Sequence, residues 1–161
     1  MNEIAPWISA AAAIASAIAA WNSLSVARAV AEAGEQSRRS NVLREWRQVA
    51  AMVVGEANGC IEALSLLRPS IDASAVLAGA FGGSAHDEIL ARVDRLKSDV
   101  ETTLADAISL RDSNMHAVSI GDLESALAKS QQQLASVRMA SQQVSAMQIR
   151  NDAEISHLRG R

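Results

Sequence analysis

From Ile4 to Ala27 the chain runs 24 residues without a charged side chain, and Arg28, Arg38, Arg39, Arg44 and Arg47 follow it. Coiled into a helix, that run is about 36 Å long, enough to cross the hydrocarbon of a bilayer. No Lys or Arg precedes it. The one-sided basic flank predicts an N-terminus outside the cytoplasm and a C-terminal body inside it.

The run is only weakly apolar. It holds ten Ala, five Ser or Asn, and six strongly apolar aliphatics: Ile4, Ile8, Ile14, Ile18, Leu24 and Val26. On the insertion scale those six supply about 2–4 kcal/mol, which one central charge would cancel. At 100° per residue, Ile4, Trp7, Ile8, Ile14, Ile18 and Trp21 share one broad face, and Ser9, Ala12, Ala13, Ser16 and Ala20 lie on the other. A water-facing surface usually carries Lys, Glu or Arg, whereas in lipid a small face lets two backbones approach closely. An Ala-rich soluble helix that buries its bulky stripe is the competing reading. A cleaved signal peptide fits worse, because Met1, Asn2 and Glu3 bring no basic start.

Beyond the run the composition is that of an intracellular helical protein. Hydrophobicity comes from Ala, Leu, Ile and Val, with one Phe, three Trp and no Tyr. The lone cysteine, Cys60, has no partner for an internal disulfide and reads as a small core residue. Fifteen basic and 18 acidic residues are interspersed to a net charge of −3, which argues against a dedicated nucleic-acid binder. Between Arg38 and Arg47, four arginines meet one acid, Glu45. Beside a membrane such a patch contacts anionic headgroups, or serves only to set topology.

The expected organisation is an anchor helix over residues 1–33, a polar juxtamembrane joint over 34–40 and a cytoplasmic helical bundle over 41–161. Gly34 in the joint either breaks the helix or merely weakens it. Val42, Trp46, Val49, Val53, Ala57, Cys60, Leu64 and Leu67 draw one apolar stripe, which Pro69 is expected to end with a turn. A short segment from Ser70 to Phe81 should then rejoin the body through Ile71, Val76, Leu77 and Phe81, before Gly82 and Gly83 break it. Ser84 and Asp87 mark a helix start, with His86 as a residue of its cap region. Ile89, Val93, Leu96, Val100, Thr103, Ala107 and Leu110 form the next stripe, up to a turn between Asp112 and Ser119.

The last helix opens with Ser119 and Asp122 in a capping arrangement. Its positions 120, 123, 127, 130, 134, 137, 141, 144, 148, 151, 155 and 158 alternate gaps of three and four, a coiled-coil seam. Its later members Leu134, Val137, Val144, Gln148, Asn151, Ile155 and Leu158 are candidates for an oligomer contact, because a helix of about 58 Å should outrun shorter neighbours. Gln148 and Asn151 would then set register and copy number, or face water where the seam frays.

Chemistry is sparse. His86, His116 and His157 are far apart, and no HExxH or CxxC spacing occurs. No catalytic, cofactor-binding or metal-ligating set is assigned. The all-α chain is therefore expected to be a single-pass scaffold or assembly protein of a bacterial inner membrane, one that self-associates and recruits a protein partner. Thirteen Arg against two Lys suit a GC-rich bacterial or phage genome. A soluble subunit of a homo-oligomer or phage particle is the alternative, and a lysis or pore-forming protein the second.

Overall fold

The computed structural model describes residues 5–113, 115 and 118–160, with side chains from residue 16 onward. Among them there are three helices and no strand: α1 (Ala5–Ala78), α2 (Ser84–Asp112) and α3 (Ile120–Arg159). The chain divides into two compact units, Met1–Asn41 and Val42–Arg161. Gly34 lies inside α1, so the polar joint is helical. His116, expected in the second turn, lies outside the described residues.

In the second unit, α1 buries Trp46, Ala50, Val53, Ala57, Cys60, Leu64, Leu67, Ile71 and Ser74, at gaps alternating between four and three. That is a seven-residue repeat, which keeps one stripe facing its neighbours along the whole helix. In α2 the buried residues are His86, Val93, Val100 and Ala107, each seven after the last, with Leu90 and Leu104 half-buried between them. In α3 the repeat is Leu123, Ser130, Val137, Val144 and Asn151, with Ala126, Leu134, Ala140 and Met147 filling the intervals. Each helix touches two others, so its apolar stripe is wider than a two-stranded seam.

Cross-helix contacts fix the directions. Glu56 and Ser70 of α1 meet Arg138 and Asn151 of α3 in the same order, so α1 and α3 run parallel. Arg68 and Asp72 of α1 meet Asp94 and His86 of α2 in reverse order, so α2 is antiparallel to them. The result is an up-down-up three-helix bundle whose core combines all three stripes.

Pro69 does not turn the chain; α1 continues through it to Ala78. The pyrrolidine removes one hydrogen bond, to the carbonyl of Ser65, an exposed residue. Continuing the helix buries Ile71, Ser74 and Ala75. It also sets Arg68, Ser70 and Asp72 against partners on the other two helices. Packing outweighs the local penalty.

The continuation from Pro69 to Ala78, nearly three turns, corrects two expectations. Of the residues expected to rejoin the body after Pro69, only Ile71 is buried; Val76, Leu77 and Phe81 are 61%, 54% and 62% exposed. The α1 segment from residue 42 to Ala78 is also about 55 Å long, so α3 has a partner over nearly its full length. Its C-terminal part packs within its own bundle, where Asn151 is buried and Ile155 and Leu158 half-buried.

Glycine ends α1. The amide of Gly79 donates to the Val76 carbonyl at 3.1 Å and that of Ala80 to the Ala75 carbonyl at 2.9 Å, with Gly79 at φ +67°. This paired closure requires a left-handed residue just past the helix. A turn from Ala80 to Gly83 follows, with Gly82 at φ +75°. At the other connection, Ser119 caps α3 as its sequence predicts, its Oγ accepting from the Asp122 amide at 3.2 Å. The start of α2 also falls where expected, but Gly83 holds the cap position and no side chain closes it. In the α2 stripe, Ile89 is 44% exposed and Leu90 takes its place.

Candidate functional site

The N-terminal unit is a helix whose described side chains face outward. Every residue from 16 to 38 is exposed, including Ile18, Trp21, Leu24, Val26 and Val30. Ser16 and Ala20 of the expected packing face are among them; the side chains of Ser9, Ala12 and Ala13 lie outside the described residues. Serine hydroxyls of the uncharged run are satisfied by their own helix: Ser23 donates to the Ala19 carbonyl at 2.9 Å and Ser25 to that of Asn22 at 2.8 Å. That back-bonding lowers the cost of carrying a hydroxyl into an apolar medium.

The helix from Ser16 to Ala78 is long and apolar enough, by length and composition, to cross a membrane, and a third of its qualifying stretch is buried. Because residues 16–38 are all exposed, that buried third comes from the part of α1 that supplies the bundle core. A core helix and a membrane span share these properties, and here burial separates them. The case for an anchor therefore rests on the uncharged run Ile4–Ala27 itself.

Of the five flanking arginines, Arg28, Arg38 and Arg39 belong to the first unit and Arg44 and Arg47 to the second. Arg39 is half-buried and the others exposed. Arg38, Arg39 and Arg47 each have interaction partners within the protein.

On α3, Leu134, Val137 and Val144 are core residues and Gln148 is exposed, its place taken by Met147. Asn151 is 6% exposed, and its amide nitrogen donates to Ser70 Oγ at 2.7 Å. The polar seam position thus has a partner on α1. Open grooves flank the helices: one of about 380 Å³ between α1 and α3 is lined by Glu56, Gly59, Ala63, Ser141, Ser145 and Gln148. Glu56 also takes a forked pair of bonds from Arg138, from Nε at 3.1 Å and from the terminal nitrogen at 2.9 Å. That hydrogen bonding, with the attraction between the charges, raises the Arg138 pKa above its usual value.

The cluster that sequence reasoning missed surrounds His86. The imidazole is buried, with Nε2 2.9 Å from Asp72 Oδ1 on α1 and Nδ1 accepting from the Gly82 amide at 3.4 Å. Phe81 lies against it, ring centroids 5.0 Å apart. Its available signal was the seven-residue spacing to Val93, Val100 and Ala107, which puts a histidine on the core seam. Cys60 is buried, as expected of a small core residue. Among the described residues, no group of three or more His, Cys, Asp or Glu is placed to hold a metal ion.

The fold and surface define a helical-bundle protein with an exposed apolar N-terminal helix. No protein family, curated protein or solved structure matches the chain.

Proposed function

We propose that this protein is a single-pass, membrane-anchored helical scaffold: the N-terminal helix sits in a bacterial inner membrane and the three-helix bundle recruits a protein partner in the cytoplasm. The observation that carries this reading is the uncharged run Ile4–Ala27 closed by Arg28, in a helix whose Ile18, Trp21, Leu24, Val26 and Val30 find no cover in their own unit. An apolar helix left in water costs about 25 cal/mol for each Å² it could bury elsewhere. Lipid supplies that burial, and the arginine flank sets the direction of insertion. The role is binding and assembly, without catalysis. Anionic headgroups beside Arg28 and Arg44, and self-association through the small face of the anchor, follow from the same reading.

Carbonate extraction tests it. The full chain should stay with the membrane pellet, and replacing Ile14 and Ile18 by Asp should release it to the supernatant. A wild-type chain released by carbonate overturns the proposal. Reporter fusions at the two ends then test the orientation, with the C-terminal fusion active only in the cytoplasm.

A second reading draws on the same exposed helix: copies of the chain cover it for one another, as in a soluble homo-oligomer or particle. Release by carbonate as a discrete oligomer in light scattering would favour it.

A further inference from the structure

His86 stands where α1 hands over to α2. Its two ring nitrogens face different elements: Nε2 lies 2.9 Å from Asp72 Oδ1 of α1, and Nδ1 accepts from the Gly82 amide of the turn at 3.4 Å. The second contact fixes the neutral tautomer. With Gly82 N–H donating to Nδ1, the ring proton sits on Nε2 and is donated to Asp72. A third group stands by, because Asp87 Oδ1 is 3.6 Å from Nδ1. From α3, packed at this level, Asn151 and Ile155 turn inward, while the titratable Arg150, Asp152, Glu154 and His157 lie on its exposed side.

A doubly protonated imidazole has no lone pair for an amide. Both nitrogens then donate, Nε2 keeps Asp72, and Nδ1–H faces the Gly82 N–H, with the Asp87 carboxylate 3.6 Å away as an acceptor. The turn loses its tie to the buried ring. That tie bears on Gly82, which holds a left-handed conformation, and on Phe81, which rests on the same imidazole.

We propose that His86 is a proton-operated latch on the α1–α2 turn: the neutral ring holds the Gly82 amide, and protonation turns Nδ1 to Asp87 and frees residues 79–83. The exposed apolar side chain there, Phe81, is then presented on a loosened support. The latch stands independently of the membrane reading, since every group in it belongs to the bundle.

Nuclear magnetic resonance on the labelled full chain tests it. Across a pH series that carries the His86 ring resonances from their basic to their acidic limit, the Gly82 amide should exchange about tenfold faster once His86 is protonated, after correction for intrinsic exchange. The Gly82 change should follow the His86 ring resonances with one midpoint. In His86→Gln, Gly82 exchange should show no such step, with circular dichroism confirming the helices. Flat corrected exchange through the wild-type His86 titration, or a step that survives in His86→Gln, overturns the proposal.

Discussion

Asn151 donates its side-chain amide to Ser70 Oγ at 2.7 Å, joining the last turns of two parallel helices across the core. A buried amide at a coiled-coil seam commonly selects register between chains; here the partner is in the same chain. Asn151→Ala should cost about 1–2 kcal/mol in urea unfolding, because it strands the Ser70 hydroxyl. Pairing Ser70→Ala with Asn151→Leu should recover most of that loss, since apolar groups can replace both partners of a buried bond.

Leu64 and Leu66 stand two residues apart on α1 and are 0% and 68% exposed. Leu64→Ala should destabilise the bundle by about 2–5 kcal/mol, the range for a truncated core leucine. Leu66→Ala should stay within about 0.5 kcal/mol of wild type. Chemical denaturation of the two variants side by side checks the position of the core stripe.

Pro69 sits within a helix that passes through it. Pro69→Ala restores an amide that can donate to the Ser65 carbonyl and removes the ring's clash with that turn. The variant should be more stable by about 1–3 kcal/mol in thermal or urea unfolding. If α1 instead ended at Arg68, the substitution would be neutral or harmful.

Turn chemistry gives a further pair. Ser119→Ala removes the cap on the Asp122 amide and should cost about 0.5–2 kcal/mol. Gly82→Ala forces a side chain into the left-handed region at φ +75°, at a cost of about 1–2 kcal/mol. Calorimetry on the two variants reads both values.

The helices were largely legible because their stripes recur every three or four residues over long runs. The seam from Trp46 to Leu67 and the Ser119 cap stand where the sequence puts them. What misled was Pro69, a strong local signal overridden by the burial of Ile71, Ser74 and Ala75 just beyond it. That single reversal also carried the expectation of an overhanging α3, since it shortened its partner. The Asp72–His86 pair was not legible, for no local pattern joins residues on different helices. Met147 takes the place expected of Gln148 because the stripe steps three residues on from Val144 and then four to Asn151, an order that satisfies the same spacing and buries the apolar side chain.

An odd number of antiparallel passes leaves the bundle's entrance and exit at opposite poles. Val42 marks one, and the last turn of α3, beside the α1–α2 turn, marks the other, about 55 Å away by helical rise. Two passes or four would bring both ends back together. Three make the unit a strut, so that anything joined after Arg159 is held a fixed length from Val42.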